Sequence, residues 1–109
     1  MKAKKATLSY KVPSGAIYKI QYRRVKESLF GATYYKMRVI EHPPCPHPLG
    51  VVAHLLAGHT ICVAGGREPR TIERAKAVAL HWMCGFEGYR TSGVFPNGTA
   101  RFDVKEVPA

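Results

Sequence analysis

Acidic residues are scarce in this chain of 109 residues, where seven Asp and Glu stand against 17 Lys and Arg. The seven carboxylates are scattered along the sequence and form no pair of the kind that acid–base catalysis uses. The GxSxG, HExxH, GxGxxG and P-loop patterns are also missing, and nothing in the spacing of the five histidines brings two of them together. We therefore expect a protein that is not an enzyme and that uses no cofactor.

Long apolar runs are missing as well. No stretch approaches the roughly 20 residues of a membrane helix, and the first six residues lack the apolar core of a secretory signal. The three cysteines, Cys45, Cys62 and Cys84, are odd in number and widely spaced, which argues against a disulfide framework and favours a reducing compartment. We expect a soluble, cytoplasmic protein that does not contact membranes and whose thiols are small buried hydrophobes.

Histidine and cysteine occur close together at three places, as in zinc sites. The pairs are Cys45 with His47, His59 with Cys62 and His81 with Cys84, and His42 and His54 lie nearby. Structural zinc needs four such ligands in a tetrahedral arrangement. No CxxC pair is present, and the Cys-Pro-His segment is extended. We expect no metal, and a zinc-stabilised small domain is our third hypothesis.

What the chain has in abundance is positive charge, concentrated near its beginning. Ten of the first 40 residues are Lys or Arg and only Glu27 is acidic, so this part carries nine of the ten net positive charges. The hydrophobic fraction of 46% and the charged fraction of 22% are those of a globular protein, so the excess charge lies on a foldable sequence. Such a local excess attracts polyanions.

The basic part also shows the alternation of β-strands. Residues 7–12, 16–26 and 33–41 alternate polar and apolar side chains, and Pro13, Ser14 and Gly15 supply a turn between the first two. The predicted apolar side is formed by Tyr18, Ile20, Tyr22, Tyr35, Met37 and Val39. Since successive strand side chains face opposite sides, the other side of this sheet is predicted to be wet and strongly basic.

The rest of the chain predicts one principal helix. Four prolines within residues 42–50 predict an extended connector inside a single domain spanning residues 1–109, because each half alone is short of core. Residues 51–57 fit either a helix or a strand, and residues 60–64 fit a strand. The helix is predicted from Thr71 to Cys84, with Thr71 as its N-cap and Gly85 after its end. Its sheet-facing stripe is Ile72, Ala75, Ala79, Trp82 and Met83.

Two further strands are predicted at residues 89–95 and 99–107. The Asn97-Gly98 pair between them is a strong hairpin signal, because both residues tolerate a positive φ. The predicted fold class is therefore α+β, a mostly antiparallel β-sheet of about five to six strands with one principal helix packed on one face.

The polar side of the second and third strands is the first candidate site. Its residues are Lys19, Gln21, Arg23, Tyr34, Lys36 and Arg38, and we expect Arg24, Lys26, Lys2, Lys4 and Lys5 to extend it. Cations spaced in this way neutralise phosphates, and an aromatic side chain among them can stack on an unpaired base. The alternative is a solvated sheet face whose lysines prevent edge pairing.

The glycine turn before the helix is a second candidate, for an anion such as phosphate. It consists of Gly65, Gly66, Arg67, Arg70 and Thr71. Unpaired amides at a helix start carry partial positive charge, and the two arginines add to it. An ordinary turn is the alternative, because the segment matches no phosphate-binding pattern.

These features predict a small basic protein that binds nucleic acid or a nucleoprotein complex through a cationic sheet face. The alternative is a protein–protein inhibitor or adaptor, of the kind encoded by viruses and mobile elements, that docks on an acidic surface of a larger complex. Carboxylates attract the same cations as phosphates, so charge alone does not separate the two. Neither does it define the oligomeric state.

Overall fold

The computed structural model describes residues 5–26, 31–47, 60–61, 68–94 and 103–108. In this part of the chain the elements follow in the order β1 (Lys5–Lys11), β2 (Ile17–Lys26), β3 (Thr33–Glu41), α1 (Ile72–Ser92) and β4 (Lys105–Val107). They form an antiparallel sheet with the helix packed against it, which confirms the predicted α+β class. The described residues contain four strands, and not the five to six predicted.

The strand order in the sheet is β3-β2-β1-β4, so β1 and β2 are the two inner strands. The turn between them follows the prediction, because Gly15 has a φ of 90° and donates its N–H to the carbonyl of Val12 at 2.9 Å. The last strand returns to pair with the first, with Val107 opposite Ser9. Alternation places the predicted apolar side chains of β2 and β3 toward the helix.

A β-bulge interrupts the pairing of β2 with β3. Ile20 lies opposite Val39, whereas the preceding Lys19 lies opposite Glu41, so β3 contains one extra residue at Ile40. Ile40 is 47% exposed, as expected for the residue after the buried Val39, but Glu41, which regular alternation would place on the helix side, is exposed as well. The extra residue changes the alternation and brings Glu41 onto the side of the sheet that carries Lys19.

The outer edge of β3 is partly paired by residues that precede the helix. The N–H of Ile61 donates to the carbonyl of Met37 at 2.8 Å, and the N–H of Tyr35 donates to the carbonyl of Pro69 at 2.8 Å. Thr60 forms an isolated bridge with Arg38. The strand predicted at residues 60–64 therefore appears at 60–61 as a bridge, and residues 62–64 lie outside the described residues.

Helix α1 begins as predicted and ends later. The Oγ1 of Thr71 caps it by accepting from the N–H of Arg74 at 3.2 Å. The predicted end at Cys84 is wrong, since α1 continues through Gly85 and Gly88 to Ser92. Residues 86–89 are buried, and this tertiary burial outweighs the cost of about 1 kcal/mol for each glycine within a helix. The stop is Gly93, which has a φ of 78° and donates its N–H to the carbonyl of Tyr89.

The longer helix also corrects the predicted strand at residues 89–95, because residues 89–92 are helical and residue 95 lies outside the described residues. The strand predicted at 99–107 is confirmed only at Lys105–Val107, and residues 99–102 lie outside the described part. Residues 48–50 of the predicted connector and the predicted helix or strand at residues 51–57 also lie outside it. In the described part of the chain, no helix is long and apolar enough to cross a lipid bilayer.

The core lies between the sheet and the helix. Small side chains of α1, Ala75 and Ala79, are fully buried and let the helix approach the tyrosine-rich side of the sheet. The described part of the connector, residues 42–47, contains neither helix nor strand, as predicted, and runs along the second half of α1. There His42 packs on Phe86 with ring centroids 4.9 Å apart, and His47 packs on Tyr89 at 5.7 Å.

Candidate nucleic-acid interface

The side of the sheet away from α1 carries a surface that we call the basic face. It consists of Lys5, Thr7, Ser9, Lys11, Ile17, Lys19, Gln21, Arg23, Val25, Tyr34, Lys36, Arg38, Glu41, Lys105 and Val107. These positions alternate with the residues buried against the helix, so strand geometry alone places them on one side. The structure thus brings together six of the predicted site residues, namely Lys19, Gln21, Arg23, Tyr34, Lys36 and Arg38.

Three cations lie directly opposite one another across the face. Lys5 on β1 is the register partner of Arg23 on β2, and Arg23 is the partner of Lys36 on β3. All three side chains are exposed. Neighbouring strands lie about 4.8 Å apart, so the backbones of the three cationic residues lie within about 10 Å of one another. We call these residues the cation row.

The next row along the strands has a different chemistry. Thr7, Gln21 and Arg38 are register partners, so an uncharged amide on the inner strand β2 has a hydroxyl on one side and a guanidinium on the other. We call these residues the central row. Gln21 is half-buried, whereas Thr7 and Arg38 are exposed. Side chains of this row carry hydrogen-bond donors and acceptors in addition to charge.

Beyond the central row lie Lys19 and, further on, Lys11 with its partner Lys105. The bulge brings the acidic Glu41 opposite Lys19, and the exposed Asp103, two residues before Lys105, lies 3.7 Å from the Lys105 ammonium. Ser9 lies between Lys19 and Val107 in the register and is 3% exposed, and its Oγ has no hydrogen-bond partner within the described part of the chain. Cations therefore lie on both sides of the central row.

Two predicted extensions of the face lie elsewhere. Arg24 and Lys26 alternate with Arg23 along β2, so they occupy the helix side of the sheet, where Arg24 pairs with Tyr35. Both are exposed near the end of the strand. Lys5 does join the face, whereas Lys2 and Lys4 lie outside the described residues.

Aromatic side chains are distributed unevenly between the two sides of the sheet. Among the described Phe, Trp and Tyr residues, Tyr34 alone lies on the basic face, opposite Val25 at the end of β2. The others lie on the helix side or on the helix itself. There Tyr18 makes edge contacts with Trp82 and Phe86 at centroid distances of 6.2 and 6.0 Å. The aromatic side chains thus form the core rather than the exposed surface.

The predicted anion site is only partly within the described residues, since Gly65, Gly66 and Arg67 lie outside them. Arg70 is exposed and lies 3.5 Å from the carbonyl of Thr33. Thr71 already caps the helix with its own hydroxyl. In the part that the structure describes, the helix start therefore has a protein partner for one of its free amides.

Within the described residues, no three His, Cys, Asp or Glu side chains are grouped so as to hold a metal ion. Cys45 is half-buried and Cys84 is buried, and neither forms a disulfide. The other predicted ligands His54, His59 and Cys62 lie outside the described residues.

A buried ionic cluster joins the sheet to the helix, and the sequence did not predict it. Glu87 on α1 is 2% exposed and accepts hydrogen bonds from the Tyr18 hydroxyl at 2.8 Å and the Ser14 hydroxyl at 3.1 Å. Arg90 donates to both carboxylate oxygens of Glu87, from Nε at 2.6 Å and from a terminal nitrogen at 2.9 Å. The bidentate pair satisfies a carboxylate that is otherwise costly to bury.

The cluster shifts the ionisation of its members. Burial alone would raise the pKa of the Glu87 carboxyl, but the hydrogen bonds from Arg90, Tyr18 and Ser14 together hold this pKa below its ordinary value of 4.5. Burial, followed by the hydrogen bond to Glu87, raises the pKa of Tyr18 far above 10. The bond to Glu87 raises the pKa of Arg90 in turn. Glu87 is therefore a structural carboxylate, ionised at neutral pH.

A second polar contact lies inside the core, where the hydroxyls of Tyr10 and Tyr22 are 2.6 Å apart. Burial is the main cause of the raised pKa of both tyrosines. The pair gives each buried hydroxyl a partner and, unlike the Glu87 cluster, contains no charged group.

No protein-family model, curated protein or solved structure matches this chain.

Proposed function

We propose that this protein binds nucleic acid through the phosphates, with the basic face as its contact surface. The observation that supports this most is the cation row, in which Lys5, Arg23 and Lys36 are direct cross-strand neighbours. Like charges in this arrangement destabilise a sheet by roughly 0.2–1 kcal/mol for each pair. A sheet face that serves only solubility can avoid this destabilisation, because interspersed positive and negative side chains keep a protein soluble equally well.

Phosphates along a nucleic-acid backbone relieve this repulsion. Each phosphate oxygen accepts hydrogen bonds from the ammonium or guanidinium groups, and each neutralised phosphate releases condensed counterions to the solution. The helix and the core hold the sheet rigid from behind, so few of the contacting groups must be ordered on binding beyond their own side chains. Arg38 and Lys19 continue the cationic surface beyond the cation row.

The experiment compares two adjacent arginines on opposite sides of the sheet. Arg23→Gln and Arg24→Gln remove the same charge at neighbouring positions, but only Arg23 lies on the basic face. Binding to a labelled DNA duplex is measured by fluorescence anisotropy over a series of salt concentrations. We expect Arg23→Gln to weaken binding and to lower the slope of log K against log [salt] by about 1, with a smaller effect for Arg24→Gln.

A variant with Lys19, Arg23, Lys36 and Arg38 all changed to Gln should lose most of the affinity. Circular dichroism and thermal unfolding establish that each variant is folded. Equal effects of the two arginine variants, or unchanged affinity of the fourfold variant, would contradict the proposal. If the wild-type protein binds no nucleic acid at moderate salt, the cations serve another partner, and an acidic protein surface is the alternative.

A further inference from the structure

The cations of the basic face are also spaced along the strands, and β2 shows this spacing. Arg23 and Lys19 lie on either side of Gln21 on the same strand, four residues apart. At about 3.4 Å per residue, their Cα atoms are about 13.6 Å apart. The central row, which includes Arg38, lies midway between them, so a strip with hydrogen-bonding side chains separates the cation row from Lys19, whose register partner is Glu41.

This pattern differs from that of a surface for single strands. Proteins that bind single-stranded nucleic acid combine a basic groove with aromatic platforms on which successive bases stack. Tyr34 is the one described aromatic side chain on the basic face, and it lies at the end of the sheet, beyond the cation row. The face therefore lacks, in its described part, the repeated aromatic platforms that unpaired bases require.

The pattern does fit a duplex groove. The major groove of B-form DNA is about 12 Å wide, which is close to the separation of Arg23 and Lys19, and a phosphate backbone runs along each of its rims. The major groove of A-form RNA is deep and narrow and excludes side chains. Of the two duplexes, the DNA presents base edges to the side chains of the central row.

We propose that the basic face straddles the major groove of duplex DNA, with Arg23 and Lys19 on opposite phosphate backbones and Gln21 and Arg38 between them at the base edges. This inference rests on the proposed function, because it specifies the nucleic acid that the same face binds. Gln contacts adenine and Arg contacts guanine through paired hydrogen bonds, and the methyl group of Thr7 suits the methyl group of thymine. The central row thus supplies base preference, whereas the cations supply affinity that is independent of sequence.

The first experiment compares three ligands of the same sequence and length, namely a DNA duplex, one of its single strands and the corresponding RNA duplex. We expect the wild-type protein to bind the DNA duplex at least about tenfold more tightly than the other two at moderate salt. Equal or tighter binding of the single strand or of the RNA duplex overturns the inference and leaves the proposed function intact. Binding to none of the three overturns both.

The second experiment tests the central row with variants that do not change the charge. A preferred duplex is selected from a random pool, and affinities for it and for a scrambled duplex are compared. We expect Gln21→Ala and Arg38→Lys each to lower the preference by roughly 5- to 150-fold while the salt slope stays unchanged. Lys36→Ala, which removes one charge from the cation row, is the contrasting variant and should weaken binding to both duplexes equally and lower the salt slope by about 1.

If the selection yields no preferred sequence, or if both central-row variants keep the wild-type preference, base contact by this row is excluded and the inference is overturned. Thermal unfolding of each variant, measured without DNA, separates loss of recognition from loss of folding.

Discussion

The hydroxyl of Tyr18 donates a 2.8 Å hydrogen bond to the carboxylate of Glu87, and this contact joins an inner strand of the sheet to the second half of α1. Arg90 and Ser14 complete the partners of the same carboxylate. The basic face and the helix are therefore held in a fixed relation by charge as well as by apolar packing.

Glu87→Gln should destabilise the protein by about 2 kcal/mol, because Arg90 loses its charged partner and the hydroxyl of Tyr18 loses an ionised acceptor. Urea unfolding measures this loss. Glu73→Gln, at an exposed position in the first turn of α1, is the control and should cost about 0.5 kcal/mol. A Glu87→Gln variant as stable as the control would show that the ion pair makes no net contribution.

The Glu87 carboxylate also makes the free energy of unfolding depend on pH in the acid range. The folded-state pKa of Glu87 lies below 4.5, so the unfolded chain binds more protons than the folded chain as the pH falls through this range. The contribution of Glu87 is fully present above the unfolded pKa and is lost at lower pH. The difference in unfolding free energy between wild type and Glu87→Gln should therefore shrink between neutral pH and about pH 3.

The three core tyrosines should resist ionisation as long as the protein is folded. The pKa values of Tyr10, Tyr18 and Tyr22 are raised above 10, so their contribution to stability is present below pH 10 and is lost as the pH rises above it. Tyrosinate absorbance and circular dichroism, followed together in alkali, should show these residues ionising only when the sheet unfolds. Ionisation of all six tyrosines near pH 10 in the folded protein would contradict this.

Gly93→Ala should be more harmful than Gly15→Ala, although both glycines have a positive φ. A Cβ at Gly93 would lie 2.9 Å from the ring of His47, whereas a Cβ at Gly15 meets no atom within 4 Å. We expect Gly15→Ala to cost about 1 kcal/mol from backbone strain alone, and Gly93→Ala to cost about 1 kcal/mol more. Chemical unfolding measures both, and in the His47→Ala background Gly93→Ala should cost only the backbone part, about 1 kcal/mol.

Arg23→Gln should stabilise the free protein at low salt, by about 0.5 kcal/mol, because it removes the middle charge of the cation row. The gain should decrease at high salt, where the repulsion among Lys5, Arg23 and Lys36 is screened. Arg24→Gln is again the control. A loss of stability in Arg23→Gln at low salt would show that the row is not under electrostatic strain.

The sequence predicts the sheet better than it predicts the helix. Alternation in the first 41 residues is sufficient for β1, β2 and β3 and for the two sides of the sheet, because the period of strand side chains is fixed. The same alternation places Arg23 and Arg24 on opposite sides of the sheet, so the position of Arg24 on the helix side was predictable from the sequence. Gly85 and Gly88 are helix-ending residues by propensity, and only burial of residues 86–89 against other elements carries α1 past them.

The ionic cluster is not predictable from sequence for a different reason. Ser14 and Tyr18 are separated from Glu87 by more than 60 residues, and no local pattern indicates that this one of the seven acids is buried. The bulge at Ile40 leaves only a break in the alternation of β3, where Glu41 follows Ile40, and its position is defined only when β2 supplies the register. Both features depend on the partner element and not on the segment itself.

The pairing of β4 with β1 determines the order in which this fold can assemble. The hairpins between β1, β2 and β3 join residues close in sequence and can form early in synthesis, whereas Ser9 meets Val107 only after synthesis has passed Val107. Until then, the free edge of β1 is open to pairing with a strand of another molecule. A variant that ends before Lys105, and so lacks β4, should therefore aggregate more readily than the full chain.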